Sequence, residues 1–339
     1  MSANPLAGWR VDPAQIELAG HDLQRPECIL AEPDGTLWSA DARGGVMRIA
    51  PDGSQRLVAQ LAESDGGGAV PGSVESVILE GTLPNGLAFA PNGDFVIANF
   101  GTDAVELMTR EGATQTLYTE IDGEPIGKAN FVLTDSLGRI WLTVTTRLQP
   151  WTRSINEKAP DGYVALIDDE GIRIVADGFI GTNEIRFDAA EEWLYVVESN
   201  GRRISRLRAL PDGSLGEREV YGPDDLGGIP DGFAFDSFGN LWITFVNADR
   251  LVALTPEREL IDLLDAGNPA GAAEFDRHFY EGTVTPEILG RGRGTLAPLM
   301  ASVTFGGPDL QTVYLGSLMG TTIPSFRSPV PGLPLAHWR

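Results

Sequence analysis

Glu27, Asn85, Asn130, Asn183, Asp231 and Ser302 each carry a side-chain oxygen, and each stands at the mouth of a short apolar run. No lysine, arginine or apolar residue occupies this place in any of the six runs. Carboxylate and amide oxygens that converge on one point suit a hard divalent cation. Ca²⁺ takes six to eight such oxygens, whereas Mg²⁺ takes fewer from protein and keeps more water. The two carboxylates among the six, Glu27 and Asp231, balance one doubly charged ion. The donor set favours Ca²⁺, with Mg²⁺, Mn²⁺, Fe²⁺ and Zn²⁺ left open because softer ions also occupy such sites when available. A second reading stands beside this one. Asn85-Gly86 and Asp231-Gly232 are turn-forming dipeptides, so the same oxygens could serve only to cap strands.

Convergence needs a scaffold that repeats. From Glu27, Asn85, Asn130 and Asp231 the next turn glycine is eight positions on in every case, at Gly35, Gly93, Gly138 and Gly239. Asn183 and Ser302 fit with about one residue of slack. Each run is followed by a Gly/Asn/Asp turn and a second apolar run, as in Phe233-Ala234-Phe235, Asp236 to Asn240, then Leu241-Trp242-Ile243. Alternating apolar residues on either side of such a turn read as a β-hairpin. Six copies at intervals of roughly 45 to 70 residues predict an all-β chain, a six-bladed β-propeller with a central metal site. Positions of equal phase then share one height and radius on the channel axis.

Length alone, 339 residues, would suggest two or three domains. The repeat predicts instead a single propeller over 1–339, with a lead-in at 1–20 that supplies a ring-closing strand. Two features interrupt the pattern: a lid-like insertion at 145–161 between two strands of one blade, and an apolar, Pro-rich tail at 324–339. Residues 64–72 read as a flexible loop by composition. Residues 264–297 form the longest stretch between repeats, with a short helix expected over 275–288. Blade four is expected over 172–210 and blade five over 219–254.

Formal charge is −23, from 48 acidic against 25 basic residues, which disfavours nucleic acid and anionic membranes as partners. No run of 18 apolar residues exists, and residues 1–10 have neither a basic start nor an apolar core, so a cytoplasmic protein is expected. Cys28 is the only cysteine, which excludes an internal disulfide and a cysteine-based zinc site. His21, His278 and His337 lie outside the repeats, and no G-x-S-x-G elbow, H-E-x-x-H or P-loop occurs, so a Ser-His-Asp hydrolase is not expected. Nothing in the sequence decides between a monomer and a homo-oligomer.

Lys128-Ala129-Asn130, Gly181-Thr182-Asn183, Ile229-Pro230-Asp231-Gly232 and Phe305-Gly306-Gly307-Pro308-Asp309-Leu310 resemble marks of the SMP-30/gluconolactonase/LRE family of six-bladed propeller lactonases. The resemblance covers residues 20 to 325. It implies one catalytic divalent ion held by Glu27, Asn183 and Asp231, with Asn130 a further ligand or a substrate contact. It also implies hydrolysis of a lactone ring by metal-activated water, with Asp231 or Glu27 to accept the proton and Asp231 the stronger choice. Where the family has R-x-N-D this chain reads Lys128-Ala129-Asn130-Phe131, and Asn183 is followed by Glu184 rather than glycine. Asn85, Lys128, Asn130 and Phe131 are the expected substrate contacts, joined by Arg147 and Trp151 from the insertion. Gaining Phe131 in place of an acid argues for a substrate with fewer hydroxyls, and Arg147 and Arg153 for one with a carboxylate. The same site could also serve a non-lactone esterase, an isomerase or a lyase, or a propeller that binds a ligand without turning it over.

Overall fold

The computed structural model describes residues 3–61 and 83–338. Six four-stranded antiparallel sheets follow one another along the chain, so the fold is a six-bladed β-propeller. The innermost strands are Ile29–Ala31, Pro84–Phe89, Ala129–Thr134, Thr182–Phe187, Pro230–Phe235 and Met300–Gly306. In five blades the four strands are consecutive. In the last, the fourth strand is Glu17–Ala19 from the start of the chain, which pairs antiparallel with Ile323–Arg327. The lead-in therefore closes the ring.

All six innermost strands are buried nearly throughout. Two glycines show how tightly they pack. A Cβ on Gly86 would lie 2.4 Å from Phe131 Cα, and one on Gly232 would lie 2.6 Å from Ala301 O. Neither has a positive φ, so Asn85-Gly86 and Asp231-Gly232 are not turns. Their glycines admit a neighbouring backbone. The turns are made by Gly35, Gly93, Gly138 and Gly239, all in the left-handed region at φ 79–99°.

Acidic residues at the hairpins anchor the second strands. Asp236 Oδ1 accepts from the backbone N–H groups of Phe238, Gly239 and Asn240, while its Oδ2 accepts the Trp242 indole at 2.9 Å. Asp135 holds Trp141 in the same way, at 2.9 Å. Each tryptophan then packs edge-on against a phenylalanine of the following blade: Trp38 on Phe95, Trp141 on Phe187 and Trp242 on Phe305. Blade-to-blade cohesion thus rests on large apolar area with every buried indole N–H satisfied.

Blade boundaries fall one strand later than the spacing suggests. Gly171–Phe179 is the outer strand of blade three, and blade four runs from Thr182 to Val220 and blade five from Pro230 to Asp265. Outer strands such as Leu215–Val220 are largely exposed and polar, so their hydrophobic alternation is faint. The single helix expected over 275–288 is two helices. One, α2 (Pro269–Glu281), is capped by Asn268 and ended by Gly282 at φ 68°; the other, α3 (Pro286–Leu289), is capped by Thr285. The insertion carries its own helix, α1 (Arg153–Glu157). The loop expected at 64–72 lies outside the described residues.

Candidate metal centre and its roof

A register shift interrupts the pairing of five innermost strands at the phase-aligned residue. The shifts lie between Pro84 and Gly86, Ala129 and Phe131, Thr182 and Ile185, Pro230 and Phe233, and Met300 and Val303. Such bulges re-aim a side chain out of the strand's alternation. Here they bring Asn85, Asn130, Asn183 and Asp231 together with Glu27 in one pocket of about 80 Å³ at the mouth where the innermost strands begin. Ser302 does not join them. Its hydroxyl donates to the backbone carbonyl of Glu27 and holds that segment in place.

The amide orientations decide which oxygens are available. Asn130 donates through Nδ2 to Thr145 Oγ1 at 3.0 Å. Asn183 donates through Nδ2 to Ser199 Oγ at 3.1 Å and to Asp231 Oδ1. Both hydroxyls are pinned in turn, Thr145 Oγ1 donating to Thr182 O at 2.9 Å and Ser199 Oγ to Pro230 O at 2.6 Å. Asn130 Oδ1, Asn183 Oδ1 and Glu27 Oε2 are left buried without a hydrogen-bond partner. Three orphaned acceptors in one pocket, beside the Asp231 carboxylate, are what a cation would satisfy, since a buried acceptor without a partner costs roughly 1–3 kcal/mol. The residues present fit a hard divalent ion, with water completing its shell.

Asn85 differs from the other asparagines. Its Oδ1 accepts from Arg25 Nη2, and its Nδ2 donates to Asn130 O at 3.0 Å and to Glu27 Oε1 at 3.4 Å. It spaces Glu27 from Asn130. Arg25, 4% exposed and at φ 56°, also donates to Pro84 O at 3.2 Å. This cation had no mark in the repeat. The available signal was its place two residues ahead of Glu27. Thr145 and Ser199, 15 and 16 positions after their asparagines, had a hydroxyl at a common phase as theirs.

Burial pushes the Glu27 carboxyl well above its ordinary range, against the pull of Arg25. Asp231 is pushed up to about 7, first by burial and then by the charge of Glu184, with the Asn183 bond and Arg25 pulling the other way. Glu184 is itself raised to about 7 by burial, opposed by its ion pair with Arg186 at 2.7 Å. Arg186 lies over the Phe131 ring at 4.5 Å.

Over the pocket sit Phe100, Trp151, Ile155, Ile229, Val246, Leu289 and Leu318. Two come from the insertion and one from α3, and the two segments are locked together. Asn156 and Val284 exchange hydrogen bonds of 3.0 and 2.8 Å, and Lys158 Nζ donates to Phe279 O at 2.9 Å. Trp151 packs edge-on against Phe100 with centroids 5.2 Å apart.

Other expected substrate contacts lie elsewhere. Lys128 pairs with Asp103 at 2.8 Å. Arg147 is exposed and stacks on Tyr163 at 4.6 Å, and Arg153 pairs with Glu157 at 2.7 Å. Phe131 and Arg186 face a larger cavity of about 890 Å³ at the opposite mouth, where Leu335 and His337 of the tail form part of the wall. None of the three histidines lines the smaller pocket.

Fold and pocket together describe a six-bladed propeller with an oxygen-lined centre at one mouth. The model of the SMP-30/gluconolactonase/LRE-like region matches residues 26–272, and the chain belongs to that family. It is 26% identical over 186 residues to 6-deoxy-6-sulfogluconolactonase of Pseudomonas putida, spanning 54% of this chain and 51% of that relative. In structure it is similar to a gluconolactonase of Xanthomonas campestris, with TM-score 0.65, 18% identity, and coverage of 97% of this chain and 94% of that one. Regucalcin of Agrobacterium tumefaciens, described as a calcium-binding protein, gives TM-score 0.66 and 15% identity, covering 95% and 98% of the two chains. No helix among the described residues is long and apolar enough to cross a membrane.

Proposed function

We propose that the protein is a divalent-metal-dependent lactonase that opens a cyclic ester by attack of water. The observation that carries this reading is the set of orphaned oxygens, Glu27 Oε2, Asn130 Oδ1 and Asn183 Oδ1, gathered beside Asp231. Glu27, Asn130, Asn183 and Asp231 would hold the ion, for which Ca²⁺ suits the donors best. Bound there, a divalent ion supplies Lewis-acid polarisation of the ester carbonyl and makes water more acidic.

The rest of the work falls to the chain. Asn183 fixes Asp231 through Oδ1, which leaves Oδ2 to take the proton of the attacking water. A carboxylate positioned beside the attacking water is the group that accepts its proton in such a hydrolysis. The roof residues Trp151, Ile155 and Leu289 exclude bulk water and hold the ring against the polar floor. The proton taken up by Asp231 is returned to the alkoxide released when the ester C–O bond breaks, giving a hydroxy acid.

The test pairs metal analysis with turnover. The expected result is about one divalent ion per chain, hydrolysis of members of a lactone panel, and loss of that hydrolysis on chelation. A protein that takes up none of Ca²⁺, Mg²⁺, Mn²⁺, Fe²⁺ or Zn²⁺ would remove the basis of the proposal.

A further inference from the structure

Most polar side chains that border the candidate pocket already hydrogen-bond within the protein. Thr145 and Ser199 each accept from an asparagine and donate to a backbone carbonyl. Asn85 uses its oxygen on Arg25 and its amide on Glu27 and Asn130. Asn200 donates to Ser154 Oγ at 3.1 Å. Three oxygens among the lining residues, Glu27 Oε2, Asn130 Oδ1 and Asn183 Oδ1, are buried without a partner and form the floor. Above that floor the described wall is largely apolar, from Phe100, the Trp151 ring, Ile155, Val246, Leu289 and Leu318.

A ligand seated with one polar group on the floor therefore presents its remaining rim to carbon. A hydroxyl on that rim would surrender its water and gain no partner from those described apolar side chains. A ring methylene in the same place gains by leaving water. Four ring substituents of the aldonolactone type would each meet this penalty, in a pocket of only about 80 Å³.

We infer that the pocket selects a small cyclic ester with an apolar rim and rejects polyhydroxylated sugar lactones, with Trp151, Ile155 and Leu289 as the specificity-determining residues. This rests on the lactonase reading for the word ester, but the selection itself is a property of the roof. The insertion and α3 supply all three residues, and their locking through Asn156 and Val284 keeps the apolar surface over the floor.

Binding and turnover test the two statements separately, using the full chain loaded with Ca²⁺. Calorimetry compares two lactams that resist hydrolysis, 2-piperidinone and D-glucono-δ-lactam. The apolar lactam is expected to bind about 10²-fold more tightly or better, the scale on which an apolar pocket discriminates against an added hydroxyl. Leu289→Gln supplies a hydrogen-bonding group to the roof and should narrow that gap about tenfold. Ile155→Asn is the second variant should the first not fold, and thermal unfolding checks both. Equal or tighter binding of the gluconolactam by the wild type overturns the inference. So does a gap that neither folded variant changes. In parallel, δ-valerolactone should be hydrolysed with kcat/KM about 10²-fold above glucono-δ-lactone. Failure to hydrolyse any lactone while the lactam order holds overturns the lactonase reading and leaves the pocket's selectivity standing.

Discussion

Asn183 donates its side-chain amide to Asp231 Oδ1, and its own Oδ1 is left buried without a partner. One hydrogen bond between neighbouring blades thus fixes the carboxylate and frees an amide oxygen beside it. Exchange of Asp231 for asparagine keeps the shape and removes the charge. Asp231→Asn should lower kcat by about 10² or more and weaken metal binding, as expected when a base and a charged ligand go together. Thermal unfolding should change little, because burial already disfavours that charge. Near-normal turnover in a folded variant would place the base elsewhere.

Thr145 and Ser199 orient the asparagines without lying on the presumed ion. Thr145→Val and Ser199→Ala should each weaken divalent-cation affinity about 10- to 100-fold, the range known for groups that orient ligands. Calorimetric titration of the metal-free protein measures this. An unchanged affinity would mean that the asparagines are held by their backbone alone.

In the metal-free chain Asp231 titrates near 7, against an ordinary value of 3.8. Between those values the folded chain holds a proton that the unfolded chain has lost, so protons bound are fewer in the unfolded state. Stability of the metal-free protein should therefore fall as pH rises from about 4 to 7 through this group. Cation binding needs the carboxylate ionised, so affinity for Ca²⁺ should rise with pH up to about 7 and binding below that should release protons. Titrations in buffers of different ionisation enthalpy count those protons. A pH-independent affinity between 5 and 7 would exclude Asp231 as a ligand.

Trp242 is fully buried, packs on Phe305 and Trp9, and donates to Asp236. Trp242→Ala should cost about 3–5 kcal/mol by the usual scale for a large aromatic truncated in a core. Urea unfolding reads the loss directly. A cost below about 1 kcal/mol would show that the blade interface collapses around the missing ring.

The repeat of an oxygen-bearing residue, a turn glycine eight positions on and a second apolar run was enough to define six blades. The reason is geometric: every blade must bury the same strand at the same radius, so each copy carries the same constraints. Glu27, Asn130, Asn183 and Asp231 were legible for the same reason. The outer strands were not, because solvent accepts almost any polar residue there and leaves no pattern. Nor could sequence say which of the six oxygens are free. Asn85 Oδ1 is taken by Arg25, 60 positions away, and Ser302 is spent on the Glu27 carbonyl, 275 positions away. Likewise the roof joins Asn156 to Val284 across 128 positions. Local spacing constrains a residue's phase on its own strand. Its hydrogen-bond partner is set by which distant strand the closed ring places beside it, and only the tertiary structure decides that.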